Sequence, residues 1–268
     1  MNILEKIIFQ KEKEVKDRKS LYPTQLLEKS IYFNSTGVSL KKYLQRKDKI
    51  GIIAEIKRQS PSKGLINKHV SIERTSIGYM QAGASALSIL TDSEFFGGKN
   101  EDLTIARKFN YCPILRKDFV VDEYQIIEAK SIGADVILLL ANVLNSSQIK
   151  QFTAFAHSLQ LEVLVEIHDE EEINSIDELT DVVGVNNRNL KTFDVSIESS
   201  LRLAKLIPNQ FVKISESGIH SAKEIHQLKE VGFQGFLIGE KFMQHCRPEL
   251  ACAQFVKEIE CYDKTSKQ

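Results

Sequence analysis

No stretch of this sequence comes near the ~20 consecutive apolar residues that span a bilayer. The opening MNILEKIIFQKEKEVKDRKS alternates acid with base and lacks a continuous apolar core, so it reads as neither a signal peptide nor a transit peptide. The four cysteines, Cys112, Cys246, Cys252 and Cys261, show no CxxC spacing. That suggests neither a zinc site nor a disulfide framework, and favours a reducing compartment, the cytoplasm by default. An excess of one charge is missing as well, because Lys plus Arg and Asp plus Glu number 36 each. Without a net field there is little to attract nucleic acid or an anionic membrane, and any anion must be captured locally. No linker or low-complexity stretch divides the 268 residues, a length that one ~250-residue barrel fills.

Residues 51–64, GIIAEIKRQSPSKG, are the most informative stretch. Ile52, Ile53, Ala54 and Ile56 form the apolar run of a buried strand, yet Glu55 and Lys57 interrupt it. Two apart, they project from one face. A carboxylate and an ammonium ending a strand buried on both sides are costly unless they pair or do chemistry. The alternative is an ordinary ion pair on a strand end emerging into water. The following RQSPSKG reads as a loop leaving the carboxyl end of the strand, where α/β folds bind ligands.

From residue 51 onwards, apolar runs alternate with amphipathic stretches. The runs are 51–57, 84–90, 113–117, 134–140, 161–167, 181–186, 211–216 and 235–239. Helices are expected over 71–82, 101–109, 122–132, 145–160, 169–178, 197–206, 221–231 and 248–261, with Gly83, Gly133 and Gly232 as helix C-caps. Eight βα units of this length favour a single closed (β/α)8 TIM barrel. Helices over 2–19 and, less regularly, 24–46 with Thr24 as N-cap form an N-terminal helical extension. The division is then extension 1–48, barrel 49–262 and tail 263–268, all within one domain. The charge run KEKEVKDRK reads as a solvated helix face, because its signs alternate.

The carboxyl ends of the runs carry a second pattern: Glu55 and Lys57, Lys117, Glu166, Asn186 with Arg188, then Glu216, Ser217 and Gly218, and finally Gly239. A barrel makes these scattered residues neighbours in one mouth, where lysines and glutamates shift one another's pKa values as acid–base catalysis requires. A structural ion-pair network is the competing reading. Gly218 and Gly239, after strands seven and eight, suit a phosphate cup of bare backbone N–H groups. His168, just past the fifth run, reads as a loop residue and not a metal ligand. The stripe Ile149, Phe152, Phe155 and Leu159 reads as core. Gly97–Gly98 suggests either a loop that closes over substrate or a plain surface turn.

The segments ILEKI…KEKEV, IIAEIKRQSPSKG, SILTDSEFFGG, PILRKDF, GADVILLL, LEVLVEIH, GVNNRNL, KISESGI and FLIGEKFM give the chain a resemblance to indole-3-glycerol-phosphate synthase, the barrel enzyme of tryptophan biosynthesis. They occur in the family's order over almost the whole length. The resemblance implies closure of 1-(o-carboxyphenylamino)-1-deoxyribulose 5-phosphate to the indole, with loss of CO2 and water. It also implies a small-molecule substrate as the partner and no metal or organic cofactor. Glu55, Lys57, Lys117, Glu166, Asn186 and Ser217 correspond to the catalytic set, with Lys117 as general acid at the ribulose carbonyl and Glu166 as general base in the dehydration. Ser60, Arg188, Glu216, Gly218 and Gly239 correspond to substrate-binding positions.

Two departures stand out: Glu240 where the family often has serine, and Asn187 and Asn189 where serine and aspartate are common. Ring closure needs the ketone oxygen protonated, which suits a lysine with a lowered pKa. A Schiff-base aldolase on the same barrel and a non-catalytic phosphate-binding barrel are the alternatives. A monomer is the default expectation.

Overall fold

Eight short strands pair in parallel and close on themselves: β1 (Ile52–Ile56), β2 (Ala86–Leu90), β3 (Ile114–Lys117), β4 (Val136–Leu140), β5 (Glu162–Ile167), β6 (Val182–Asn186), β7 (Val212–Glu216) and β8 (Gly235–Ile238). Each lies beside its neighbours in sequence, and β8 returns to β1. This is the expected single (β/α)8 barrel. The computed structural model describes residues 1–189 and 194–265. Leu190 of the GVNNRNL motif and residues 266–268 at the end of the expected tail lie outside the described residues.

Alternation along the strands builds two cores. Outward residues such as Ile52, Ala54 and Ile56 pack with the surrounding helices. The second cluster joins Ile53, Leu115, Leu138, Leu164, Val182, Ile214 and Leu237 with Leu40 and Leu44 from the N-terminal extension. Buried side chains of this kind stabilise by ~1.5–3 kcal/mol each. Together they offset the several kcal/mol lost on burying an ion in the mouth. Steps of two along the same face lead from Ile53 to Glu55 and Lys57, from Leu115 to Lys117 and from Leu164 to Glu166. Likewise Val182 leads through Gly184 to Asn186, and Ile214 leads to Glu216. The register sets Leu90 level with Lys117, Leu140 with Glu166 and Asn186 with Glu216.

Several elements depart from expectation. The helix expected over 24–46 is two short ones, Thr24–Leu27 and Leu40–Leu44. Thr24 is the first helical residue and Pro23 holds the N-cap position, while Ser39 caps the second helix by accepting the Lys42 N–H. The helix expected over 169–178 is a 3-10 turn, Glu171–Ser175. There the Asp169 side chain takes the N–H groups of Glu171 and Glu172, while the Glu172 carboxylate takes that of His168, which tightens the chain into one turn. The helix expected over 197–206 spans Glu198–Leu203, and the final one runs over Pro248–Thr265. A two-residue hairpin, Gln59–Ser60 with Gly64–Leu65, and a short helix, Glu240–Met243, were not expected. Gly83, Gly133 and Gly232 do end helices, at φ 101°, 92° and 92°.

The first helix, Ile3–Leu21, opens on an Asn2–Glu5 capping box. Its charge run is only partly solvated. Glu12, Lys13 and Lys16 are exposed, but Lys11 is buried and its Nζ meets Asp92 at 3.0 Å, Asp118 at 2.9 Å and Glu14 at 2.9 Å. Burial alone would raise the Asp118 carboxyl, yet Lys11 and then Arg116 outweigh it and hold it at about 2. That depression stabilises the fold above pH ~4 and is lost as pH falls towards 2.

Lys11→Met removes the ammonium from buried Asp92, leaves Asp118 with Arg116 and Thr91, and should cost about 3–5 kcal/mol. Urea unfolding checks this, with Lys13→Met expected within about 0.5 kcal/mol of the wild type. A Lys11→Met loss as small as that of Lys13→Met would mean the network is solvated.

Candidate active site

All eleven residues singled out from the sequence line one cavity of about 500 Å3 at the carboxyl ends of the strands. Lys117 is central. Its Nζ donates to Glu166 Oε2 at 2.5 Å and to Glu216 Oε2 at 2.8 Å. Lys57 donates to Glu55 Oε1 at 2.7 Å, so the two charges that interrupt β1 do pair. Asn186 Nδ2 donates to Glu166 Oε1 at 3.0 Å, and Asn186 Oδ1 accepts the Arg188 N–H at 3.0 Å.

The expected lowering of a catalytic lysine does not hold for Lys117. Burial alone would lower it, but Glu166, Glu216 and Glu55 outweigh burial and hold the ammonium above its ordinary value. The two carboxyls that share it move in opposite directions. Burial pushes Glu216 up despite Lys117, and the Glu166 and Glu55 charges add to the rise. Glu166 is lowered, because Lys117 and then His168 overcome its burial. The hydrogen bonds agree with that division. Glu166 accepts from Lys117 and Asn186 on separate oxygens, whereas Glu216 Oε1 has no partner among the described residues. Lys117 and His168 thus favour the ionised form of Glu166, while burial favours the protonated form of Glu216.

Gly184 escaped the sequence reading. A Cβ there would stand 2.4 Å from Glu216 Oε1, so the missing side chain makes room for that carboxylate. The signal was a glycine inside an apolar strand, which marks a close approach.

The walls differ in character. Leu90, Phe96, Phe119, Leu138 and Leu140 form an apolar side, with the Phe96 and Phe119 rings 6.0 Å apart. Ile3, Leu4 and Ile7 of the first helix also line the cavity, so the extension is part of it. Opposite them lie Ser217, Gly218 and Gly239, with Ser217 at φ 66° and Gly218 at φ 72°. Ser60 sits in the hairpin after β1, where its Oγ accepts the Lys63 N–H at 3.2 Å. The Gly97–Gly98 loop is tied back to the barrel in this conformation, with Phe96 just before it lining the cavity. Gly98 donates to Asp92 O at 2.8 Å, and the Arg58 side chain holds Gly97 O at 3.0 Å. Glycine at 98 is required by packing, since a Cβ would meet Leu90 O at 2.0 Å.

His168 lies past the end of β5, as expected, but is no ordinary loop residue. Its part-buried ring has a buried Nε2 3.5 Å from Glu166 Oε1 and Nδ1 3.5 Å from Glu172 Oε2. Among the described residues, no group of three or more His, Cys, Asp or Glu is arranged to hold a metal ion. Among the same residues, no helix is long and apolar enough to cross a membrane.

Comparison with known proteins identifies the family. The family model described as indole-3-glycerol phosphate synthase matches residues 4–255. A relative of that name from Bacteroides thetaiotaomicron is 44% identical over 259 residues, 97% of this chain and 99% of its own. Another, from Campylobacter curvus, is 41% identical over 246 residues, covering 90% and 94% of the two chains. Among solved structures, 3-hexulose-6-phosphate synthase from Salmonella typhimurium superposes with a TM-score of 0.61 at 12% identity, over 79% of this chain and 99% of that one. That likeness concerns the fold alone.

Proposed function

The chain belongs to the indole-3-glycerol phosphate synthase family, and we propose that the polar cluster around Lys117 performs that family's ring closure by proton transfer. The protein is a carboxy-lyase of tryptophan biosynthesis acting on a small molecule. The observation that carries the residue assignment is a largely buried Lys117 that donates to both Glu166 and Glu216, in a cavity with an aromatic wall and a glycine-rich wall. A substrate with an anthranilate ring at one end and a phosphate at the other suits that polarity.

The ring packs beside Phe96 and Phe119, and the phosphate takes backbone N–H groups near Gly218 and Gly239. Ser60, Arg188 and Ser217 orient the chain between them. This folds the ring carbon to within ~3–3.5 Å of the ketone carbon. As the carbon–carbon bond forms, Lys117 protonates the ketone oxygen. CO2 then leaves and the ring recovers its aromaticity. Glu166, held by Asn186, removes a proton from the ring CH2, and the hydroxyl departs as water with a second proton from Lys57, which Glu55 positions. Proton transfers of this kind contribute ~10²–10⁴-fold each.

Two protons reach oxygen and one leaves carbon, so each turnover of the carboxylate substrate takes up one proton. The four free cysteines suit a cytoplasmic location. Addition of the carboxyphenylamino-deoxyribulose phosphate should yield indole fluorescence with one CO2 per indole. CO2 without fluorescence would contradict the ring closure.

Glu240 stands beside the glycine wall, 3.4 Å from both Lys63 and Arg188. Its carboxylate occupies cations that a phosphate would use. Glu240→Ser should lower the KM by about two- to fivefold, the scale of an exposed ion pair, and the gain should shrink with added salt. A raised KM would show that the Glu240 pairs build the cup.

A further inference from the structure

Resting on the reading that the substrate's aromatic ring packs beside Phe96 and Phe119, we propose that Lys11 is a positioning residue for that ring. It ties together the two carboxylates from which both phenylalanine segments hang. Lys11 is 1% exposed, and its ammonium meets carboxylates that the ring closure does not use. A buried ammonium is costly, so its partners show what it is for.

Two of those partners each hold one segment of the wall. Asp92, two residues past β2, presents Oδ2 to Lys11 at 3.0 Å and Oδ1 to the Phe95 N–H at 2.8 Å. Asp118, directly after β3, presents Oδ1 both to Lys11 at 2.9 Å and to the Phe119 N–H at 2.8 Å. Its Oδ2 takes the Thr91 hydroxyl at 2.6 Å, which joins the two strand ends a second time. Both carboxylates are buried. The two loops therefore leave the barrel from partners of one lysine, and their Phe96 and Phe119 rings meet with 35° between their planes.

Helix docking alone does not account for Lys11. The later half of the first helix is fastened by other groups. Arg18 pairs with Glu128, Lys19 reaches Asp122 at 2.7 Å, and the Tyr124 hydroxyl donates to Arg18 O at 3.1 Å. Lys11 lies one turn beyond Ile7 and two beyond Leu4, so the helix face that carries it is the face that covers the cavity. Burial would lower the ammonium, but Asp118, then Asp92 and Glu14, hold it above its ordinary value, which keeps it charged near neutrality. Without that charge the two carboxylates repel, and the loops that set the aromatic wall lose their common tie. Lys11 touches no reacting atom and acts through Asp92 and Asp118.

The test measures binding of each half of the substrate by itself. N-(2-carboxyphenyl)glycine probes the aromatic half and inorganic phosphate the other. In Lys11→Met the Kd of the aromatic probe should rise about 3- to 10-fold, the scale of one ring–ring contact, while that of phosphate stays within about twofold. In the same variant kcat should fall about 10- to 100-fold, as for a ring held ~1 Å out of line. Asp92→Asn should act in the same direction, because it keeps an acceptor for Phe95 but turns an amide NH2 towards Lys11. Arg18→Met is the control. It loosens the same helix without touching either loop, so its urea midpoint should fall while both Kd values and kcat stay within about twofold.

An aromatic-probe Kd within twofold of wild type in folded Lys11→Met would overturn the proposal. So would an equal rise for phosphate, which marks general damage, or an equal effect of Arg18→Met, which marks helix docking. If Lys11→Met fails to fold, Asp92→Asn decides alone through the same two constants. Phe119→Leu separates the two readings. An unchanged aromatic-probe Kd in that variant would remove the ring site, and the proposal with it. A weakened probe there beside an unchanged one in Lys11→Met would remove only the positioning role.

Discussion

Lys117→Met should leave a folded protein that binds substrate and turns it over at less than about a thousandth of the wild-type rate. Two effects combine in this variant. The proton donor at the ketone is gone, and so is the ammonium that holds Glu166 low. Burial, which Lys117 now overrides, would then weigh more, and Glu166 would rise. The acid is therefore lost and the base is less readily ionised. The residual rate should climb with pH, whereas the wild-type base is already ionised near neutrality. Folding should change in the opposite sense: carboxyls raised above their unfolded values stabilise at acid pH, and that support disappears as pH rises through the raised values. Single-turnover kinetics and urea melts across pH measure both trends. Retention of more than about a tenth of the rate, under ~1.4 kcal/mol of barrier, would exclude the general-acid role.

Glu166→Gln should reduce kcat by about 10²–10⁴-fold, or ~2.7–5.5 kcal/mol, with little change in KM. The amide preserves the shape and the contact with Asn186 but accepts no proton. Wild-type Glu166 is lowered, so its acid limb should lie below the ordinary carboxylate range. In the glutamine variant that limb should vanish. Glu216 also loses a charge that raises it and should titrate lower. A pH–rate profile that superposes on the wild type would contradict the base assignment.

The barrel and its mouth were legible because period-two patterning fixes which side chains turn inward. Once Ile53 is inside, Glu55 and Lys57 must be, and the same step places Lys117, Glu166 and Glu216. The pKa order was not legible, because it depends on the 2.5 and 2.8 Å contacts of Lys117 and on an unpartnered oxygen of Glu216. Lys11 looked like one lysine among several in a solvated run, since its partners Asp92 and Asp118 lie far away in sequence. The 169–178 segment has helix-forming glutamates, but the Asp169 and Glu172 side chains draw the backbone into a 3-10 turn. Phe96 and Phe119 were readable as apolar residues. Their pairing as one wall required the loops to be in place.

An ammonium that two carboxylates keep charged is a poor nucleophile, and an imine would block the carbonyl carbon that the ring must attack. Borohydride added during turnover, followed by intact-mass measurement, distinguishes proton transfer from Schiff-base chemistry on this barrel. Unmodified protein, with the indole product and CO2 accumulating together, is the expected result. A mass increase equal to reduced substrate, mapped to Lys117 or Lys57, would contradict it.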